Sequence, residues 1–178
     1  MQRKLNRELK AYCADFAPVR EILRAEESMF VEVKEQVDYY YNLPAGDDSR
    51  GTRRLKLRIE KGTGTLIHYR ERQQAGARTS QVRMSSADDM GLQDVLEAAL
   101  GCKAVVRKQR ELWLKDNVIF NLDTVEGVGK ILEVEVQDDQ GCDIDAQVDE
   151  YRSLFGPYLN GYITGSNEDL VAAITPQP

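Results

Sequence analysis

Lysine, arginine and carboxylate side chains recur at every second residue in several stretches of this chain, and the two signs are segregated. Lys56 and Arg58 in "RRLKLRIEK", Arg70 and Arg72 in "TLIHYRER", and Lys108 and Arg110 in "VVRKQRELWL" supply cations. Glu8 stands two residues before Lys10 in "NRELK", and Asp123, Glu133 and Glu135 share one parity of "VIFNLDTVEGVGKILEVEV". Ammonium and guanidinium groups suit phosphate oxygens, and arginine adds a planar fork of donors. Clustered carboxylates suit Mg2+ or Mn2+, hard cations that take oxygen ligands and bridge to substrate phosphates. A metal-bound polyphosphate needs both kinds of group at once.

Alternation with a period of two is the signal of a strand. About eight segments carry it, beginning at "LNRELKAY", "EQVDYYYNL", "RRLKLRIEK" and "TLIHYRER". "RTSQVRMS", "VVRKQRELWL" and the two arms of the acidic hairpin complete the set. Most connections are short enough for antiparallel pairing. Helices are expected at "DFAPVREILRAEE", "SSADDMGLQDVLEAALG", "DAQVDEYRSLFG" and "NEDLVAAI", the first with Asp15 as its cap and Pro18 early. The loop "LPAGDDSRGT" is the clearest break.

Taken strand by strand, a charged parity is simply a solvated face, because antiparallel sheets commonly alternate apolar-in and polar-out. Taken together, eight antiparallel strands can close into a barrel that turns one whole face inwards. With helices packed on the apolar side, the charged side becomes a lumen. A lumen lined by both signs is costly unless something fills it. The expected fold is α+β, either an open sheet with a solvated charged face or an eight-stranded antiparallel β-barrel with a charged lumen and helices packed outside.

The totals narrow the field. With 178 residues, 42% hydrophobic and 30% charged, the chain suits one globular domain spanning 1–178. A formal net charge of −6 argues against a nucleic-acid partner, since that affinity comes mainly from neutralising phosphates. Three widely spaced cysteines form no CxxC pair, and a single histidine leaves Ser-His-Asp chemistry poorly supplied. No apolar run approaches membrane-spanning length, so no membrane partner is expected and a reducing cytoplasm is the natural location.

In the order and spacing of its motifs the chain resembles the CYTH superfamily, which holds class IV adenylate cyclases, thiamine triphosphatases and other triphosphate tunnel metalloenzymes. "NRELK" is similar to the N-terminal ExExK motif, "RLKLR" to the basic strand, and "LDTVEGVGKILEVEVQ" to the acidic hairpin. "QVDYYYN" and "IHYRER" are closer to the cyclase-like bacterial branch. The resemblance runs from Asn6 to about Tyr151 and implies a triphosphate tunnel with a divalent metal, Mg2+ or Mn2+. It implies Glu8, Glu133 and Glu135 as metal ligands with Asp123 beside them. Lys10, Lys56, Arg58, Arg70 and Arg110 would hold the triphosphate, joined by Arg72 and Lys108. Lys10 and Glu133 are the candidate catalytic residues. One departure is Asn6, an uncharged donor where the motif has its first glutamate.

The implied substrate is a small-molecule triphosphate: ATP converted to cyclic AMP and pyrophosphate, as in a class IV adenylate cyclase. The alternatives are hydrolysis of tripolyphosphate, thiamine triphosphate or a nucleoside triphosphate, and a binding module that turns nothing over. Some cyclase-like relatives are homodimers, which leaves that assembly open. His68 shares the parity of Arg70 and is either a phosphate contact or a packed histidine. Tyr40 points either to a base or ribose or to strand packing, and Trp113 reads as core.

Overall fold

The computed structural model describes residues 4–46, 52–74, 77–87, 91–138 and 142–174, with the side chains of 4–6 and 71–80 outside the description. The strands are β1 (Lys4–Cys13), β2 (Met29–Tyr41), β3 (Thr52–Glu60), β4 (Thr63–Gln74), β5 (Ala77–Ser86), β6 (Cys102–Lys115), β7 (Val118–Val125), β8 (Gly129–Gln137) and β9 (Leu159–Tyr162). The helices are α1 (Ala17–Ala25), α2 (Gly91–Leu100), α3 (Ile144–Phe155) and α4 (Asn167–Ile174). This is an α+β fold built on one antiparallel sheet in the order β5-β4-β3-β2-β6-β7-β8-β1-β9. β1 also pairs with β5, at the far end of the row, through Lys4–Ser80, Leu5–Thr79 and Asn6–Arg78. The alternation anticipated eight of the strands. The four-residue β9 was not anticipated, because it is too short to carry a period.

Tight turns set the register. β3 and β4 are joined by Lys61 and Gly62, both at positive φ (51° and 78°), so that Glu60 pairs directly with Thr63. Two residues of that geometry follow the natural twist of a hairpin, and glycine adopts it without a Cβ clash. The same logic joins β6 to β7 through Asp116, at φ 49°, which places Lys115 opposite Val118.

The sheet's apolar face is covered by α1 and α3. Leu9, Trp113, Phe120, Leu122, Leu132, Val134 and Val136 pack there against Phe16, Val19 and Leu23 of the α1 segment and Val148, Tyr151 and Phe155 of α3. Phe120 is fully buried, edge-on to Tyr151 at 5.1 Å and to Phe155 at 6.1 Å between ring centroids. Such ring pairs add to the burial of their area. Trp113 is core, as its parity implied. Asp15 accepts from the Ala17 N–H at 3.1 Å, while Phe16 occupies the cap position itself.

The opposite face is charged along most of its length and turns apolar at one end. There Tyr40, Val106, Val125 and Ile131 form a second small core with Val171 of α4. Each lies two residues along its strand from a charged residue of the same face: Asp38, Lys108, Asp123 and Glu133. α4 thus covers one end of the charged face. Among the described residues, no helix is long and apolar enough to cross a membrane.

Candidate functional site

Cross-strand partners in an antiparallel pair project to the same side, so the ladder identifies the residues that share a face. Glu8 lies opposite Glu135, and Lys10 opposite Glu133. Arg110 lies opposite Asp123, Lys108 opposite Gln36, and Arg58 opposite Asp38. Eight of the residues singled out by motif and parity therefore stand on one face: Glu8, Lys10, Lys56, Arg58, Lys108, Arg110, Asp123 and Glu133. Glu135 is the ninth.

Their contacts form two compact groups and a pair. Arg58 donates from Nε and Nη2 to the two oxygens of Asp38, at 2.7 and 2.8 Å, and Lys56 Nζ reaches Asp38 Oδ2 at 2.8 Å. Arg110 donates from Nε and Nη2 to Asp123, at 2.6 and 2.5 Å, and Lys108 Nζ reaches Asp123 Oδ2 at 2.7 Å. Lys10 Nζ lies 2.9 Å from Glu133 Oε1, and Arg110 bridges to Glu133 Oε2 at 2.6 Å. Lys56 Nζ also sits 5.3 Å from the ring centroids of both Tyr40 and Tyr69.

Burial gives these charges their properties. Lys10, Lys56 and Lys108 are each no more than 7% exposed, and Asp38 and Asp123 no more than 2%. Desolvation pushes the Lys56 and Lys108 ammonium groups down to about 8, with Asp38 and Asp123 opposing it. Burial alone would raise both aspartates, yet the cations outweigh it: Arg58 and Lys56 hold Asp38 well below the carboxylate range, and Arg110 and Lys108 do so for Asp123. Glu133 is likewise lowered, its burial outweighed by Arg110 and Lys10. Five cations meet three carboxylates in these contacts, and Glu8 and Glu135 stand further along the same face.

The assignment of Arg70 to the triphosphate face does not hold in β4, and of the two readings of His68 the phosphate contact falls with it. Lys56 pairs with Ile67, Arg58 with Thr65 and Arg54 with Tyr69, so Thr65, Ile67 and Tyr69 join the charged face. Arg70 pairs with Arg53, and His68 with Leu55, which places both on the other side. The two-residue turn at Lys61–Gly62 fixes this phase, and the charged parity of β4 is not the parity of the site. Burial and then Arg83, Arg70 and Arg53 push the His68 imidazole below its usual value. Arg72 has the parity of Arg70, but its side chain, like that of Asn6, lies outside the described residues. Val82 and Met84 of β5 pair with Tyr69 and Ile67 and bring an exposed apolar strip to the charged face.

The structure adds residues that the motifs did not indicate. Asp38 was on the correct parity but was read as an ordinary strand residue. Asn167 Nδ2 of α4 reaches Asp123 Oδ2 at 3.4 Å. Glu168, 2% exposed, lies 2.6 Å from Lys103 Nζ and 3.3 Å from Arg54 Nε. In "NEDL" these acids look like the usual first turn of a helix, so nothing in the local pattern marks them.

The carboxylates divide when asked to hold a metal. Glu8 and Glu135 are directly opposed across β1 and β8 with Glu133 next along the same face, an all-oxygen donor set of the kind a hard divalent cation takes. Asp123 has both oxygens committed to Lys108 and Arg110, and Glu133 has Oε1 on Lys10 and Oε2 on Arg110, which leaves Glu8 and Glu135 as the pair best placed for a metal. Among the described residues, no three His, Cys, Asp or Glu side chains are gathered as a ready metal cluster.

Known proteins share this fold. The CYTH domain family profile covers residues 4–159. The chain belongs to the CYTH domain family. A Methanocaldococcus jannaschii protein named "putative adenylate cyclase" is 28% identical over 130 residues, 72% of this chain and 74% of the relative. The structure of a Pyrococcus horikoshii protein superposes with a TM-score of 0.77 at 19% identity, over 93% of this chain and 99% of the other. A Hippeastrum protein, an adenylyl cyclase by name whose structure is titled as revealing a dominant triphosphatase activity, superposes at 0.68 and 14% identity, over 98% of each chain. As a CYTH protein with relatives so named, this chain is an enzyme of that superfamily.

Proposed function

We propose that this CYTH protein acts on an organic triphosphate, bound with a divalent metal against the charged face. The carrying observation is the gathering of five cations, Lys10, Lys56, Arg58, Lys108 and Arg110, on one buried to half-buried face beside Asp38, Asp123 and Glu133. Ammonium and guanidinium groups gathered this closely suit the several oxygens of a polyphosphate. The β1–β5 pairing is read as the seam of a tunnel, with the charged face as its lining and α4 across one end. The triphosphate then enters from the end that α4 does not cover.

Within this reading, Glu8 and Glu135 would hold Mg2+ or Mn2+, and Glu133 would join them by exchanging one of its contacts to Lys10 or Arg110. The metal would offset the charge of phosphate oxygens and favour the ionised form of a nearby hydroxyl or water. Asp123 is assigned to the cations instead. The protein's part is positioning and electrostatics. Lys10, Lys56, Arg58, Lys108 and Arg110 hold the triphosphate oxygens and stabilise the charge that builds on the leaving group. Glu133 stays ionised because Arg110 and Lys10 outweigh its burial, so it serves as an acceptor that orients Lys10 and a nucleophile's hydroxyl.

The first reaction proposed is that of an adenylate cyclase. The ribose 3′-oxygen bonds to the α-phosphorus, the bond from that phosphorus to the β-bridging oxygen breaks, pyrophosphate leaves and the hydroxyl proton passes to solvent. The strip of Ile67, Tyr69, Val82 and Met84 favours an organic substrate, since inorganic tripolyphosphate has nothing to lay on an apolar wall. Hydrolysis of the terminal phosphate is the second reading, favoured by the activity in the Hippeastrum protein's title. The test is product analysis with ATP, tripolyphosphate and thiamine triphosphate, each with Mg2+ and with Mn2+. Cyclic AMP with pyrophosphate establishes the cyclase, and phosphate without cyclic AMP establishes the hydrolase. No product from any combination overturns both.

A further inference from the structure

The two groups of contacts around Asp38 and Asp123 repeat one design. In each, a Lys-x-Arg segment on one strand faces an aspartate on the next: Lys56 and Arg58 on β3 with Asp38 on β2, Lys108 and Arg110 on β6 with Asp123 on β7. The arginine is the direct register partner of the aspartate in both. It gives Nε to Oδ1 and Nη2 to Oδ2, while the lysine two residues earlier adds a third bond to Oδ2. Each aspartate thereby fixes the plane of a guanidinium and the position of an ammonium, leaving the Nη1 edge and the remaining lysine protons facing elsewhere.

The two forks meet across β2. Arg58 stands opposite Asp38, and Lys108 opposite Gln36, only two residues along the same strand. The forks are close enough for Arg58 and Arg110 each to bear on the other fork's charges. Two aspartates stand against four cations, and Arg110 of the second fork also meets Glu133. Asp38 contacts nothing but its own fork among the hydrogen bonds of the described residues, so metal binding does not explain its burial.

We infer that Asp38 and Asp123 are twin positioning residues, each holding one Lys-x-Arg fork so that the pair of forks grips neighbouring phosphates of a single triphosphate chain. The inference rests on the triphosphate reading above and assigns parts within that site. Neither aspartate touches the substrate. They act by orienting groups that do, at the cost of two negative charges beside a polyanion.

That cost makes the test decisive. Asp38→Asn removes a negative charge, so bulk electrostatics alone predicts tighter binding of an anion. Positioning predicts the reverse. Isothermal titration of the full chain with inorganic tripolyphosphate, in metal-free buffer, should show a Kd at least tenfold higher for D38N and for D123N. In steady-state assays KM should rise likewise, while the Mg2+ concentration for half-activation stays within twofold of wild type. A D38N Kd at or below the wild-type value overturns the inference, and so does a large rise in half-activating Mg2+ for D123N. If D38N does not fold, as read by circular dichroism and melting, Arg58→Lys takes its place. It keeps the charge but loses the two-pronged bond, and an unchanged Kd there overturns the fork. Wild-type protein that binds no tripolyphosphate overturns the triphosphate reading itself, a result distinct from both.

Discussion

Raising the pH should weaken triphosphate binding steeply, with Lys56 and Lys108 setting the range. Burial pushes both ammonium groups to about 8 in the free protein, against an ordinary value of about 10.4. Asp38, Arg58, Arg110, Tyr40 and Tyr69 surround Lys56; Asp123, Glu133, Arg110 and Arg58 surround Lys108. Of these neighbours, the arginines stay charged and the acids ionised, and Tyr40 is held well above its ordinary value by burial. A bound polyanion favours charged lysine, so the complex keeps protons that the free protein releases. At pH 9 each free lysine is charged in about one molecule in eleven, so each weakens binding about tenfold relative to pH 7. Both together give roughly 100-fold, or about 3 kcal/mol. The free protein's stability moves the opposite way. Its lysines have folded values below their unfolded ones, so the unfolded chain carries more protons between about pH 8 and 10.5, and stability rises across that window.

Titration calorimetry with metal-free tripolyphosphate from pH 7 to 9.5, in two buffers of different ionisation enthalpy, reads both the affinity and the protons taken up. The logarithm of Kd should climb with a slope that approaches two per pH unit above pH 8. Lys56→Arg, which keeps its charge throughout, should halve that slope. A Kd constant within twofold over the range would refute the reasoning, as would an undiminished slope in the Lys56→Arg, Lys108→Arg double variant.

Arg70→Ala should leave tripolyphosphate affinity within about twofold of wild type, because Arg70 projects from the other face; Arg58→Ala should cost about ten- to a hundredfold, the worth of charge-assisted bonds. The same calorimetry checks both. Glu8→Gln and Glu135→Gln should each raise the half-activating Mg2+ concentration about tenfold or more with little change in melting temperature, measured by assay and by calorimetric scan. Phe120→Ala empties a fully buried site between Tyr151 and Phe155 and should cost about 3–5 kcal/mol in denaturant unfolding.

Much of the site was legible in strand periodicity. A strand's two faces follow from alternation alone, so Glu8 with Lys10, Lys56 with Arg58, Lys108 with Arg110 and Glu133 with Glu135 were bound to project together. The helices that cover the apolar face were legible for the same reason, from the spacing of Val19, Ile22 and Leu23. Alternation leaves one matter open in every strand, however: which parity joins which face of the neighbouring strands. In β4 the charged parity looks like the natural choice, and Arg70 is expected at the site with it. The turn at Lys61–Gly62 sets the pairing one residue out of phase with that choice and puts Ile67 and Tyr69 beside Lys56 instead.

The sequence by itself determined the menu of side chains on each strand face, the helices able to cover one of those faces, and the excess of lysine and arginine over carboxylate in the middle strands. Those are local properties, written in periods of two and in the spacing of a helical turn. Only the tertiary structure decided the partners. Asp38 became the anchor of Lys56 and Arg58 because β2 and β3 pair in one register, and Asn167 came to Asp123 across a separation of 44 residues. Register depends on turns and on the burial of whole faces, and contacts over such separations leave no periodic trace in the chain.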